Sequence, residues 1–486
     1  MRPDSTPRRA VRWNADGIVT LGWNETRALL PVLIVGVLAA SVAAVTRGDI
    51  PGGPSLAALS GIHELSLVAS IAAMLALGAQ AIGQEYEHRT LGLMLMLPVA
   101  RPWLFLVKLT VVAAMVLPLT AYVSLMGIFG EVPLLPWLSA GAALCLAPML
   151  TMLCRSTLAG AVFSASVPGI VLVLVTTMTT AFDGSAEAEH AAREAWAWLM
   201  IPLLACSAVL GWRLFMRLES IEGGGRDIHV TWWIRTPRKV GTSRPLWLLV
   251  KKELCLQRMT FALTALYIVS TAAATIVHSW LDSDPSAMNV LRVASAVYWL
   301  CLPALIGSLA IAEERQLGTL SWQLQLPVPG WLQWVAKVGT VFSLAFLLSI
   351  GVPVLLARVL SPIDLPNLEL AGVVTMVTTA ASLYVSSVST AGVRAALASL
   401  ATIPLGLWLV VTTAIALRRA PIAHVFWNGR ESAWLGLVAI VVVLLLGLAY
   451  ANHRAEPPAA SRIRRQVFSL VALVGVGLLA LEAVTI

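Results

Sequence analysis

The stretch GAQAIGQEYEHRTLGLMLMLPVARPWLFLVKL, from Gly78 to Leu109, returns later in the chain as GSLAIAEERQLGTLSWQLQLPVPGWLQWVAKV, from Gly307 to Val338. One constant offset, the one that pairs Gly78 with Gly307, aligns the two copies without a gap. A repeat at the same point of two hydrophobic halves indicates two equivalent membrane units in one chain. The identical pairs include Gly78/Gly307, Ile82/Ile311, Glu85/Glu314, Thr90/Thr319, Leu91/Leu320, Leu95/Leu324, Leu97/Leu326, Pro98/Pro327, Val99/Val328 and Lys108/Lys337.

The composition is typical of a membrane protein. The chain has 486 residues, of which 58% are hydrophobic and only 12% charged, whereas soluble domains carry about 25% charged residues. Runs of roughly 20 apolar residues are long enough to cross a bilayer as helices. We therefore expect an all-α polytopic membrane protein with about 12–13 transmembrane helices. The apolar runs lie near residues 29–46, 64–83, 103–126, 133–153, 157–180, 196–215, 260–278, 293–311, 331–357, 367–387, 391–416, 434–451 and 466–484.

The distribution of charge predicts the orientation of these helices. The net charge is +8, and a basic chain could bind nucleic acid. With the N-terminus placed in the cytoplasm, however, most lysines and arginines fall on the cytoplasmic side, while the acids divide about evenly. This is the pattern of the positive-inside rule, so we expect no nucleic-acid partner. Arg418 and Arg419 depart from this rule, because the threading places them on the outer side. The C-terminus is also predicted to lie on the outer side of the cell membrane.

The order of segments predicts four regions. Residues 1–216 form a first six-span repeat with an N-terminal interfacial helix, and residues 217–244 form a polar, basic, cytoplasmic linker. Residues 245–452 form a second six-span repeat, and residues 453–486 hold a basic stretch and a thirteenth span. Six spans per repeat is an even number, so the two repeats are expected to be parallel in the membrane.

Two kinds of amphipathic segment recur in each half. Lead-ins at Gly17–Ala28 and Pro245–Met259 combine tryptophan with charge, which suits helices in the membrane interface. The segments Gln84–Leu97 and Glu313–Leu326 begin with charges and continue with apolar residues. We expect each to be an interfacial helix between two spans, with its acids near the helix start, where the dipole favours negative charge.

No catalytic or metal-binding pattern emerges. The five cysteines are scattered and form no CxxC pair. His63–Glu64 opens like a zinc motif, but Leu67 stands where the second histidine would be. Gly223–Gly225 lacks the following GK[ST] of a phosphate loop. We therefore predict no catalytic residue, metal ligand or cofactor in this chain.

The repeated pattern I-x-x-E-x-x-x-x-T-L-x-x-x-L-x-L-P-V, closing on a lysine in the next span, resembles the signature of ABC type-2 exporter permeases. The lead-in LVKKEL, at Leu249–Leu254, resembles their connecting helix. The resemblance implies a type V ABC exporter-like fold and an ATPase contact at the repeated segments. The implied contacts are Glu85, Tyr86, Glu87, His88, Arg89, Glu313, Glu314 and Arg315, with Lys251, Lys252 and Glu253 in the connecting helix.

The same resemblance implies partners. The chain has no GxxxxGK[ST] motif, so ATP and Mg are expected in a separate ABC ATPase subunit, present in two copies. The other partners are membrane lipids and a small-molecule substrate of hydrophobic or amphipathic character, such as a drug, an antibiotic-like natural product or a lipid, which makes multidrug efflux one of the functions implied.

Two alternatives stay open. An ion-coupled secondary transporter can also have two six-span halves, but it commonly needs charged residues in mid-membrane. In the predicted threading the carboxylates lie at span ends or in loops. The other alternative is a membrane anchor or regulatory subunit without transport, which a cavity between the halves would argue against. Polar span residues such as Ser386 and Ser387 are more often helix–helix hydrogen-bond partners than parts of a substrate path.

Overall fold

The computed structural model describes residues 15–47, 57–87, 90–96, 99–127, 134–182, 186–218, 245–280, 287–320, 328–360, 368–404, 431–454 and 461–470. Within these ranges the chain is almost wholly helical and contains no strand. The first helices are α1 (Ala15–Arg47), α2 (Ala57–Glu87), the short α3 (Leu91–Leu95), α4 (Arg101–Leu125), α5 (Leu135–Cys154), α6 (Thr157–Phe182) and α7 (Ala186–Met216).

The second group of helices begins after the predicted linker, which lies almost wholly outside the described residues. It comprises α8 (Pro245–Leu256), α9 (Arg258–Trp280), α10 (Ala287–Gln316), α11 (Gly330–Leu360), α12 (Leu368–Val388), α13 (392–404), α14 (Glu431–His453) and α15 (461–470).

Ten helices in the described part of the chain are long and apolar enough to cross a membrane. They coincide with the first ten predicted spans, so the prediction of an all-α multi-pass membrane protein is confirmed. The run at 391–416 is helical as far as residue 404, and the run at 434–451 falls inside α14. The predicted thirteenth span lies mostly outside the described residues.

Among the ten candidate spans in the described ranges, the second predicted span of each half is the most buried of its half. In the most apolar part of each helix, 78% of α2 and 61% of α10 is buried, against 22% of α7. Outer helices such as α7 instead expose large apolar side chains, including Trp198 and Val209. Such exposure suits contact with lipid, because a bilayer gives apolar groups no reason to withdraw from the surface.

Two glycines at equivalent repeat positions allow the central helices to approach their neighbours. A Cβ on Gly78 of α2 would lie 1.8 Å from the backbone oxygen of Ala143 in α5. A Cβ on Gly307 of α10 would lie 2.0 Å from Ser382 Oγ in α12. Only glycine permits such close backbone approach, and small residues at helix contacts are the usual basis of packing in membranes.

The helices of the two halves also pack against each other. Val173 of α6 contacts the cluster formed with Ala274 of α9 and Leu291 of α10. In the opposite direction, Val393 and Leu397 of α13 belong to the core formed by α1, α2 and α4. The helices at the fifth predicted span of each half, α6 and α13, therefore contact helices of the other half.

The π-helical turns distinguish the halves. One lies at Ala142–Leu146 in α5 and the other at Leu347–Gly351 in α11. These are the fourth span of the first half and the third span of the second, so the turns do not follow the repeat. A π-turn inserts an extra residue into the helix and often occurs where function needs a local change of shape.

The charged segments fold differently from the sequence prediction. α2 continues to Glu87 and α10 to Gln316, so Glu85 and Glu314 lie in the last turn of a span. The expectation that these acids begin a separate helix is therefore wrong. The helix dipole disfavours negative charge at the C-terminal end of a helix. The buried lysines described below offset this cost by pairing with the glutamates.

The two lead-ins also differ from each other. α1 runs without a break from the predicted interfacial segment into the first span. In the second half, the helix stops at Leu256 and a new one begins at Arg258. The side chain of Gln257, at the break, donates a 3.0 Å hydrogen bond to the Ile306 carbonyl oxygen of α10. This bond fixes the angle between lead-in and span.

Candidate functional site

The first candidate site is a lysine buried between two glutamates. Lys108 lies two turns into α4, and its side chain is 2% exposed. Its Nζ forms ion pairs with Glu25 of α1 and, at 3.0 Å, with Glu85 Oε1 of α2. It also donates a 3.0 Å hydrogen bond to the Ala81 carbonyl oxygen. One ammonium group therefore joins three helices.

Neighbouring side chains complete the bonding of both carboxylates. The Gln84 side-chain amide donates to Glu25, and the Thr90 hydroxyl donates to Glu85. The Thr90 backbone nitrogen donates a 3.0 Å bond to the Glu85 carbonyl oxygen. Burying a charge is tolerable only when it is paired and hydrogen-bonded, and this cluster meets that condition.

The second candidate site repeats the arrangement. Lys337 of α11 is fully buried, and its Nζ lies 2.8 Å from Glu253 Oε1 of α8 and 2.8 Å from Glu314 Oε1 of α10. It donates a 2.7 Å hydrogen bond to the Ala310 carbonyl oxygen. The repeat pairs these three residues, Lys337, Glu314 and Ala310, with Lys108, Glu85 and Ala81. Glu253 lies one position before the equivalent of Glu25.

The two clusters differ in charge. Lys252 binds Glu314 and lies 3.9 Å from Glu253, so the second cluster has two cations for two anions. The residue before Glu25 is Asn24, and the first cluster has one cation for two anions among the described residues. Burial raises the pKa of the Glu253 carboxyl, and repulsion from Glu314 adds to this effect against the attraction of Lys337.

The proposed ATPase contacts are now placed individually. Glu85 and Glu314 point into the clusters, and Glu314 is fully buried. Tyr86 and Glu87 are half-buried, as is Lys251. His88 and Arg89 lie outside the described residues.

Arg315 has a structural role in this conformation. Its guanidinium binds the carbonyl oxygens of Ser387, Ser389 and, at 2.9 Å, Asn452. These bonds hold the end of α10 to the ends of α12 and α14. Glu313 is half-buried beside it.

A polar layer lies next to the second cluster. Ser386 Oγ donates a 2.6 Å bond to the Ser308 carbonyl oxygen of α10. Asn452 donates to Ser387 Oγ at 3.2 Å and accepts a 3.0 Å bond from Gln466 of α15. Ser386 and Ser387 thus hold helices together, as expected for small polar residues in spans.

The sequence interpretation missed the partners of these glutamates. By sequence, Lys108 and Lys337 stand out only as the lysine on which the repeated pattern closes, without an assigned role, and Glu25 stands out only as part of a lead-in. A lysine inside an apolar run is itself a signal, because an ionisable residue in a span faces the bundle and pairs with a specific partner. A glutamate stands at the same spacing before the lysine in both copies, and this recurrence points to that partner.

No set of three or more His, Cys, Asp and Glu side chains within the described ranges could hold a metal ion. No protein-family model, curated protein or solved structure matches this chain. The helical fold and the ten long apolar helices in the described ranges define it as an all-α multi-pass membrane protein.

Proposed function

We propose that this chain is the transmembrane permease subunit of an ATP-driven exporter of the ABC type-2 class. It would consist of two tandem, parallel six-helix repeats with an additional C-terminal helix, in the cell membrane with a cytoplasmic N-terminus. Separate ATPase subunits, in two copies, would bind ATP and Mg and drive alternating access. The substrate would be a hydrophobic or amphipathic small molecule.

The observation that carries the proposal is the recurrence of one three-helix junction at the repeated sequence. In each half a lysine ties a lead-in helix, the end of the second span and the beginning of the third span together. A chain driven by two identical motors needs two such equivalent points of attachment. In the proposal, the two matched junctions would be these points.

The junctions also suit the transmission of movement. The span ends are joined by buried ion pairs. When one helix shifts, either the other helices move with it or the paired charges separate inside the protein. Removing one partner of such a pair costs about 3–5 kcal/mol, so the joined helices move together at lower cost. A force applied to a lead-in would therefore reach α2 and α4, or α10 and α11.

The clusters refine the expected motor contacts. Glu85 and Glu314 are occupied by lysines in this conformation, so their role in the proposal is to hold the junction. The half-buried Glu87 and Lys251 lie next to the two junctions and retain exposed surface. We assign the direct contact with the ATPase to these two residues, with Tyr86, His88 and Arg89 adjacent to the first.

Purification of the detergent-solubilised chain from its native host tests the proposal. We expect an ATPase to co-purify, and the double variant Glu87→Lys/Lys251→Glu to lose it. Glu64→Lys is the matched control, because Glu64 is exposed near the other end of α2. Recovery of the chain without an ATPase, or equal loss in the control, would contradict the proposal.

One observation favours the second candidate, an ion-coupled secondary transporter. Four glutamates and two lysines are withdrawn from solvent where the spans meet, and such groups often bind protons or ions in carriers. Transport by reconstituted vesicles separates the candidates. Uptake that follows a proton or sodium gradient and ignores ATP would favour the carrier, whereas uptake that requires the co-purified ATPase and ATP would favour the exporter.

A further inference from the structure

The short helix α15, residues 461–470, follows α14 and returns one polar side chain to the bundle. Gln466 is buried, whereas its neighbours Arg465 and Val467 are exposed. One turn further along the helix, Leu470 packs against the hydrophobic core of the second half. The contact between α15 and the bundle therefore centres on Gln466.

Gln466 forms a reciprocal amide pair with Asn452 near the end of α14. Its Nε2 donates a 3.0 Å bond to Asn452 Oδ1, and its Oε1 accepts a 3.2 Å bond from Asn452 Nδ2. The same Oε1 accepts a 3.2 Å bond from the Tyr384 hydroxyl of α12. All three side chains are buried, so one glutamine of α15 supplies hydrogen-bond partners to two spans.

This network extends to the end of α10. Asn452 Nδ2 also donates to Ser387 Oγ of α12, and the Asn452 carbonyl oxygen accepts a 2.9 Å bond from Arg315 of α10. A buried polar network with its partners in place rigidifies a structure and fixes one arrangement. A shift of any one of these helices would leave a buried donor or acceptor unpaired, which is costly.

The equivalent end of the first half is apolar. Arg217–Glu219 follows α7 in the way that Arg454–Glu456 follows α14, with the same pattern Arg-x-Glu. On this alignment Phe215 stands in the place of Asn452, and both side chains are fully buried. The ring of Phe215 lies 4.9 Å from that of Phe105 in α4. Apolar contact is not directional, so α7 can shift along α4 without unpairing the side chain of Phe215.

The ends of the two second spans show the same contrast. Tyr86 of α2 and Arg315 of α10 occupy equivalent positions of the repeat. Arg315 binds backbone carbonyl oxygens of α12 and α14, whereas the buried Tyr86 Oη has no hydrogen-bond partner among the described residues. The end of α7 does accept one bond, 2.8 Å long, from Arg101 Nη1 to the Met216 carbonyl oxygen. This single bond from a long side chain restrains α7 less than the network restrains α14.

We propose that α15 is a built-in strap that holds the end of α14 against α12 and α10, so that the sixth spans of the two halves differ in mobility. The strap fixes α14 through Gln466, and α7 is free to shift. The device does not depend on ATP-driven transport and would also operate in a secondary transporter. In the exporter proposed above, the first half would make the larger movement.

Hydrogen–deuterium exchange of the full chain in lipid nanodiscs, read by mass spectrometry, tests the strap. We expect the amides of residues 448–453 in α14 to exchange about tenfold more slowly than those of residues 211–216 in α7, because local opening of α14 must break buried hydrogen bonds. Gln466→Leu should speed exchange at residues 448–453 about tenfold, the scale of one lost buried hydrogen bond. It should leave residues 211–216 unchanged.

Two further variants separate the strap from a general loss of stability. Arg465→Gln changes the exposed neighbour of Gln466 on α15 and should leave exchange in α14 unchanged. Asn452→Leu/Gln466→Leu removes both members of the amide pair, and replacing both partners by apolar groups is far less destabilising than removing one. This double variant should fold and still speed exchange at the end of α14.

Three results would overturn the proposal. Equal exchange at the ends of α7 and α14 in the unmodified chain would show that the two halves are equally mobile. Unchanged exchange in α14 of both leucine variants would show that Gln466 does not hold this helix. Faster exchange in both halves alike, in both leucine variants, would show that α15 supports the whole fold and not α14 in particular.

Discussion

Lys108 and Glu85 belong to different helices and lie 3.0 Å apart, and Lys337 and Glu314 repeat this ion pair at 2.8 Å. Each lysine also binds a backbone carbonyl oxygen of the central helix, that of Ala81 or of Ala310. The hydrogen bond to this carbonyl oxygen fixes the position of each lysine ammonium along the central helix. The ion pairs explain how the apolar bundle tolerates this buried charge.

Replacement of either central lysine should destabilise the protein strongly. Lys108→Met or Lys337→Met leaves two carboxylates without their main partner inside the protein, and breaking a buried pair in this way costs about 3–5 kcal/mol. Thermal unfolding in detergent measures the effect. Arg358→Met, at an exposed position of α11, is the control and should unfold close to the unmodified protein. A lysine variant as stable as this control would show that the clusters are not structural.

The peripheral lysine of the second cluster should matter much less. Lys252 is 30% exposed on its side chain, so water screens its attraction to Glu314. We expect Lys252→Asn, which copies the arrangement at Asn24, to cost about 0–1 kcal/mol. The comparison of Lys252→Asn with Lys337→Met by the same unfolding measurement checks this. Equal losses of stability in the two variants would mean that solvent exposure does not determine how much each lysine contributes.

The glycine at the α2–α5 contact should reject even one methyl group. In Gly78→Ala the new Cβ would meet the Ala143 backbone oxygen at 1.8 Å, and overpacking of this kind costs about 1–3 kcal/mol. Gly339→Ala in α11 has no atom within 4 Å of the new Cβ. It should leave stability unchanged or raise it by about 0.5–1 kcal/mol, because alanine favours the helix. The difference in unfolding free energy between these two variants checks the close approach of α2 to α5 at Gly78.

The second cluster should give the protein a pH-dependent stability. The pKa of Glu253 is raised above its ordinary 4.5 by burial and by Glu314, despite Lys337 and Lys252. The folded state therefore binds a proton more readily than the unfolded state. The contribution of this group to stability rises as the pH falls through its raised folded value, and levels off below 4.5.

Unfolding midpoints across this window, for the unmodified chain and for Glu253→Gln, isolate the effect. The glutamine cannot titrate, so the stability of the unmodified chain minus that of Glu253→Gln should rise as the pH falls and be constant below pH 4.5. A fall of this signed difference on acidification would show that the pKa of Glu253 is lowered in the folded protein by its ion pair with Lys337.

The sequence by itself determined the membrane character and the positions of ten spans, because a segment that crosses a bilayer must satisfy its backbone internally and must be apolar over about 20 residues. It also determined which positions correspond between the halves. The offset that aligns Glu85 with Glu314 and Lys108 with Lys337 needs no structure. The proposed function rests on the same repeat and remains a prediction.

Only the tertiary structure decided what these residues do. Periodicity could not tell that α2 continues through Glu85 to Glu87, because the carboxylate of Glu85, which appeared to end the span, is paired with a lysine of another helix. It likewise could not reveal the contact that Gly78 makes with α5, or the ion pair between Glu25 and Lys108. Each depends on the distance between helices that are remote in sequence, and that distance is set by the packing of the whole bundle rather than by any local pattern.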